Sequence, residues 1–287
     1  MKRRRFLQVA AATLACPRGA QASVWQGTAL GADVSVTLTG PDAEAALTAT
    51  RATLARIEAL FSLYQPSQLT ALNATGSLTD PGPEMLALCR LADQAFRLTA
   101  GRFDPTVQPL WTALATGGDT DAARARIGWD RVALTPERIA LSPGQALTFN
   151  GIAQGYATDV VTAELAALGF TYALVNIGEY RALGGPWHIG LADPTFGDLG
   201  KTTLTGRAAA TSSPAALAVG GLPHILSRDG RMPLWSTVSV TAPSAAMADA
   251  LSTAFCLMDR DAIRATLAAL PGTRAQIVDA TGSLFTA

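Results

Sequence analysis

Lysine is almost missing: the 287-residue chain has only Lys2 and Lys201. Histidine is equally scarce, His188 and His224 being the two present, so any general base comes from few candidates. Cysteine occurs at Cys16, Cys89 and Cys256, with no C-x-x-C pair and no nearby histidine, which argues against thiol chemistry and against zinc. Cys89 and Cys256 fall within apolar helical patterns and are expected to be buried thiols rather than a disulfide. The apolar run near the start is about ten residues, too short to cross a bilayer as a helix. No repeat, low-complexity tract or linker divides the chain.

What is present begins with "MKRRRFLQVAAATLACPRGAQAS", a basic head, a short apolar run and a small-x-small site at Ala20-Gln21-Ala22. This is the layout of an export signal over residues 1–22, and Arg3-Arg4-Arg5-Phe6-Leu7 fits the twin-arginine pattern, so a periplasmic location is expected. Lipidation at Cys16 is disfavoured, because Thr13 stands where such sites want leucine. Cleavage would remove Lys2, Arg3, Arg4, Arg5 and Arg18 but no acid, turning a balance of 22 basic and 22 acidic residues into a clear acidic excess. Nucleic acid and an anionic membrane surface are therefore poor partners, and no stable membrane insertion is expected.

The remaining residues, 23–287, suffice for one large domain or two intimate lobes. "DVSVTLT" (33–39) alternates like a half-buried strand, and a helix follows behind a possible Asp42 cap, with Leu47, Leu54, Ile57 and Phe61 on one face. A second helix is expected through 83–99, and "FDPTVQPLWTA" (103–113) reads as an ordered loop entering a short helix. "ALTFNGIAQGYATDVVTAELAALGF" reads as a strand, a glycine-bearing turn and a helix closed by Gly169. Strands are expected at 172–178, 187–193, 235–242 and 274–279, and helices at 245–258 and near 260–269. Interspersed strands and helices favour a mixed α/β fold of α+β layers.

The run "APSAAMADALSTAFCLM" (242–258) poses a chemical question, because an apolar helix carries Asp249, Ser252 and Thr253 on one face. A carboxylate there needs a partner. One acid with neutral oxygens suits a hard cation such as Mg²⁺; the alternative is an acid that caps a neighbouring loop while Thr253 bonds back to its own helix. Gly151 and Gly155 in "FNGIAQGYATD" allow close main-chain approach to a phosphate, or simply make a tight turn; spacing and the missing lysine exclude a P-loop and G-x-G-x-x-G. His188 lies in a strand pattern and reads as structural, whereas His224 follows Gly220-Gly221-Leu222-Pro223 and sits better on a loop. Ser212-Ser213 lacks a G-x-S-x-G elbow, which leaves little support for a serine hydrolase.

Eight segments in order carry a resemblance: "SLYQPSQLTALN" (62–73), "GRFDPTVQPLW" (101–111), "NGIAQGYATD" (150–159), "ALVNIGEYRALG" (173–184), "WHIGLADP" (187–194), "ATSS" (210–213), "HIL" (224–226) and "SVTAPSAAMADALSTA" (239–254). Together they resemble the ApbE family of FAD:protein FMN transferases over most of residues 23–287. The resemblance implies a single domain with the FAD site between two intimate lobes. It further implies an exported enzyme that cleaves FAD with Mg²⁺, passes FMN to a threonine or serine hydroxyl of a flavoprotein and releases AMP. It puts metal ligands at Asp249, Thr253 and the main-chain carbonyl of Gly151. Contacts to FAD fall at Leu30, Tyr64, Arg102, Phe103, Asp104 and Ile225, and His224 becomes a candidate to deprotonate the acceptor hydroxyl.

Departures from the family turn D-x-G-x-I-A-K-G are Thr148 for the acid, Asn150 for the first glycine and Gln154 for the lysine; "SRDGRMP" replaces D-P-x-T-G after "HIL". Thr148 and Gln154 remain FAD-contact candidates. The variant turn with "NIGEYRALG" looks most like the branch serving nitrous oxide respiration, whose client would be a membrane flavoprotein with an exported FMN-binding domain. The competing readings are a Mg²⁺-dependent FAD pyrophosphatase and a non-catalytic FAD-binding or delivery protein.

Overall fold

The computed structural model describes residues 22–287. The expected export signal therefore lies outside the described residues, apart from Ala22 at its edge. Eight strands form the main sheet: β1 Ser23–Ala29, β2 Ala32–Leu38, β3 Ala173–Ile177, β4 Tyr180–Leu183, β5 Ala208–Ser212, β6 Thr237–Ala242, β7 Arg274–Val278 and β8 Leu284–Thr286. Their spatial order follows the chain, and every neighbouring pair is antiparallel.

Eight helices are interleaved: α1 Ala43–Phe61, α2 Gln68–Thr75, α3 Gly82–Leu98, α4 Gln108–Thr116, α5 Thr120–Ala125, α6 Ala153–Ala167, α7 Ala245–Phe255 and α8 Arg260–Ala268. Six of them, with a small sheet of Ser77–Thr79, Arg138–Ala140 and Ala133–Leu134, are inserted between β2 and β3. Alternation explains the layering: Val34, Val36 and Leu38 point one way from β2 and are buried, against the helical layer of α1, α6 and α7. The opposite face around Leu174, Ala182 and Ala209 is covered by a hairpin, Trp187–Asp193 with Gly197–Leu204, through Trp187, Ile189 and Leu204. One apolar core runs from Leu88 and Ile139 in the insertion to Val175 and Val240 in the sheet, so the parts form a single mixed α/β domain.

Two local expectations are corrected. Residues 146–150 do not form the expected strand, although Leu147 and Phe149 are buried. The main chain of Leu147 bonds the Asn73 side chain in both directions, and Thr148 N–H donates to Pro105 O, leaving no neighbouring strand to pair with. Asp42 occupies the cap position of α1 in a left-handed conformation (φ 58°), with no side-chain cap bond; only its carbonyl serves the helix, by accepting from Ala46 N–H.

Candidate functional site

A cleft of about 340 Å³ opens between the helical layer, the β3–β4 turn, the end of β5 and the segment that follows β5. All twelve residues that the family resemblance marks line it: Leu30, Tyr64, Arg102, Phe103, Asp104, Thr148, Gly151, Gln154, His224, Ile225, Asp249 and Thr253. His188 does not; it lies exposed on the covering hairpin, with Nδ1 3.1 Å from Thr203 Oγ1.

The floor is made by α6 and α7, which cross so closely that a Cβ on Gly155 would lie 2.3 Å from the carbonyl oxygen of Ala245. Gly155 is therefore a helix-contact residue within the first turn of α6 rather than part of a phosphate-binding turn. The two helices cap one another. Ile152, at the start of α6, has no capping side chain, and Gly155 N–H instead donates to Asp249 Oδ2 on α7 at 3.1 Å. Asp159 on α6 accepts from Ser244 Oγ (2.7 Å), Ala245 N–H (2.8 Å) and Ala246 N–H (3.0 Å) at the start of α7, and it also pairs with Arg181.

Asp249 is only 3% exposed, and burial raises its carboxyl to about 7. The loop-cap alternative thus accounts for one of its oxygens. Thr253, one turn on, sets Oγ1 3.3 Å from Ser212 Oγ, and a Cβ on Gly151 would lie 3.0 Å from that same hydroxyl. Ser252 turns away: its hydroxyl donates to Asp249 O and bonds Ser212 Oγ at 2.8 Å. Among the described residues no group of three or more His, Cys, Asp or Glu is placed to hold a metal, so a cation here would draw on carboxylate, hydroxyl and carbonyl oxygens.

A second buried acid was not singled out from the sequence. Glu179 follows Gly178 at the β3–β4 turn and is 8% exposed; Oε2 accepts from Thr211 N–H at 3.1 Å. Burial, and then the nearby charge of Asp249, push its carboxyl well above the usual range. Its position just past an apolar strand reads as an ordinary turn acid, and only the approach of β5 and α7 reveals otherwise.

The walls are held by local structure. Leu30 (φ 50°) and Gly31 (φ 73°) form the two-residue turn of the β1–β2 hairpin, a conformation unusual for leucine. It is clamped from both sides, Leu30 N–H donating to Glu58 Oε1 (2.9 Å) and Leu30 O accepting from Gln154 Nε2 (3.2 Å). Thr148 Oγ1 accepts from Asn150 N–H, and Asn150 Nδ2 donates to the Tyr64 hydroxyl at the exposed rim. Asp104 spends its oxygens on Thr106 and on Trp129 N–H, so it shapes the loop that bears Arg102 and Phe103. Arg102 reaches Asp229 Oδ2 at 2.7 Å and ties that loop to the segment after His224. The Ser227 hydroxyl and the Arg102 guanidinium hold the Asp229 carboxyl well below the usual range.

His224 follows a tight hairpin, Ala218–Val219 with Leu222–Pro223, turned by Gly220 (φ 55°) and Gly221 (φ 82°). Its Nδ1 lies 3.1 Å from Pro214 O and 3.2 Å from Leu217 O. Carbonyl oxygens only accept, so Nδ1 carries the proton and the lone pair is on Nε2.

A curated FAD:protein FMN transferase of Rhodobacter capsulatus is 28% identical over 253 residues, 77% of this chain but 48% of the relative, so the chain spans about half the length of the curated relative it matches. The ApbE protein of Thermotoga maritima superposes with a TM-score of 0.81 at 25% identity, covering 92% of this chain and 96% of that one. The apo flavinyl transferase ApbE of Pseudomonas stutzeri gives 0.77 at 24% identity, over 93% and 94% of the two chains. For the flavin transferase ApbE of Vibrio cholerae the values are 0.80, 20%, 93% and 97%. The model of the ApbE family matches residues 30–277, nearly the whole of the described domain, and the chain belongs to that family.

Proposed function

We propose that the protein transfers FMN from FAD to a threonine or serine hydroxyl of an exported flavoprotein, using Mg²⁺ and releasing AMP. The observation that carries this reading is one cleft that brings Asp249, Thr253, Gly151 and His224 together. The donor set fits a divalent cation: Asp249 and Glu179 are buried, and among the described residues neither is bonded or paired to an arginine, lysine or histidine. Asp249, Thr253 and the Gly151 carbonyl would hold the cation, which when bound would neutralise charge on the FAD pyrophosphate.

The chain's own groups do the rest. Phe103 and Ile225, both buried, give the cleft apolar walls suited to a flavin ring, with Leu30 and Tyr64 at its edge. His224, held through Nδ1, takes the acceptor's hydroxyl proton at Nε2 as that oxygen bonds to the FMN phosphorus and the P–O bond to AMP breaks. Residues 1–22 act as a twin-arginine signal that delivers domain 23–287 to the periplasm. No helix of the described residues is long and apolar enough to cross a membrane. The acceptor is an exported FMN-binding domain, and the "GEYRALG" variant supports a client in nitrous oxide respiration.

The test is to incubate the protein with FAD and Mg²⁺, with and without such a domain, reading acceptor mass and AMP together. A gain of FMN mass that Asp249→Ala abolishes is expected. AMP without acceptor modification would replace this reading with FAD hydrolysis, and bound FAD with neither product would replace it with a carrier.

A further inference from the structure

We propose that Glu179 is a second carboxylate of the cation site, so that this chain loads its divalent cation before FAD arrives. The inference rests on the cation assignment at Asp249 and goes beyond it.

A turn acid ordinarily points to water, at no cost. Glu179 does the reverse. Its main chain is pinned, with Ile177 N–H and the Thr158 hydroxyl both donating to Glu179 O, and its side chain lies in the cleft, more than nine-tenths buried. Only Oε2 has a hydrogen-bond partner among the described residues, the Thr211 N–H. It lines the same cleft as Asp249, whose charge has the same sign and adds to the cost of ionising Glu179. Arg181, two residues on, is already paired with Asp159, and Arg102, which lines the same cleft, with Asp229. Gln154, against the Gly178 backbone, supplies an amide in place of a cation.

Two buried carboxylates without a counter-charge are each costly, and a divalent cation between them cancels both charges at once. With one carboxylate, a Mg²⁺ site leans on substrate phosphates for its remaining charge. With two, the cation is held by the protein alone.

The experiment measures Mn²⁺ binding to the full chain without FAD, by the loss of the free-ion EPR signal, and repeats it with Mg²⁺ by calorimetry. Glu179→Gln is the informative variant, because its amide oxygen still accepts from Thr211 N–H. The expected result is one equivalent bound by the wild type, affinity at least tenfold weaker in Glu179→Gln with much of the shortfall recovered when FAD is added, and none in Asp249→Asn. Glu179→Gln should also melt no lower than the wild type in EDTA, which separates lost binding from lost folding. Equal Mn²⁺ affinity in Glu179→Gln and wild type, with Asp249→Asn still deficient, overturns the role of Glu179 alone. A wild type that takes up no Mn²⁺ with or without FAD overturns the cation assignment and this inference with it.

Discussion

Asp249→Asn should stabilise the metal-free protein while abolishing its chemistry. The native carboxyl titrates near 7 and a free aspartate near 3.8. Between those values the folded state binds more protons than the unfolded one, so stability falls as pH rises through the window. The cost is absent near pH 4 and complete above about pH 8. At about 1.4 kcal/mol per pH unit, a shift of this size, caused by burial and partly offset by the Gly155 N–H bond, corresponds to roughly 4 kcal/mol. Asparagine removes the charge while its amide oxygen still accepts from Gly155 N–H. In EDTA at pH 8 the variant should therefore melt higher, by on the order of 10 °C for a domain of this size. Saturating Mg²⁺ should narrow the gap, because only the wild type gains from binding, about 2.7 kcal/mol at a hundredfold excess over Kd. Urea titrations from pH 5 to 8 with EDTA or Mg²⁺ provide the measurement. A metal-free wild type whose stability does not fall across that range, or an Asp249→Asn variant less stable than it at pH 8, would refute the reasoning.

Other perturbations separate chemistry from architecture. His224→Ala should slow transfer about 10²- to 10⁴-fold with FAD affinity and melting temperature little changed; single-turnover flavinylation checks this, and wild-type rates would remove the base role. Asp159→Asn weakens the cap on α7 and leaves Arg181 without its anion, so about 2–3 kcal/mol should be lost in urea denaturation, with weaker Mn²⁺ binding because α7 carries Asp249. Gly155→Ala should cost about 1–3 kcal/mol despite the better helix propensity of alanine, since its methyl would meet the Ala245 carbonyl; a melting temperature equal to the wild type would show that α6 and α7 can separate freely.

The sequence resolved different parts of this site for different physical reasons. Asp249 and Thr253 were legible because helical spacing alone puts residues four apart on one face, and α7 forms as the pattern required. The segment before Gly151 reads as a strand, yet Leu147 and Phe149 are buried in irregular chain. Alternation reports which way side chains point, while the partner of the main chain, here Asn73, lies 74 residues away. Glu179 was illegible for the same reason: its burial depends on Thr211 and α7, both brought in by topology. Gln154 looked like a lost lysine; the structure gives it a task instead, bonding the carbonyl of Leu30 in a left-handed turn at the cleft edge.

Architecture and site meet where α6 and α7 cross. Each helix supplies the acid that caps the other, yet the two acids are not equivalent. Asp159 is fully engaged, with main-chain amides, a hydroxyl and an arginine around it. Asp249 gives one oxygen to Gly155 and lines the cleft with the other end of its charge unmatched by any arginine or lysine of the described residues. A fold optimised for stability alone would place an uncharged acceptor at Asp249, since the cap needs only an oxygen. Retaining a carboxylate there, where its charge adds to the cost of ionising the buried Glu179, makes sense if something positive completes the site. The crossing thus fixes where Asp249 sits in the cleft, and the same crossing leaves its buried charge unmatched by any arginine or lysine of the described residues. A cation that binds there should for that reason raise the stability of the fold as well.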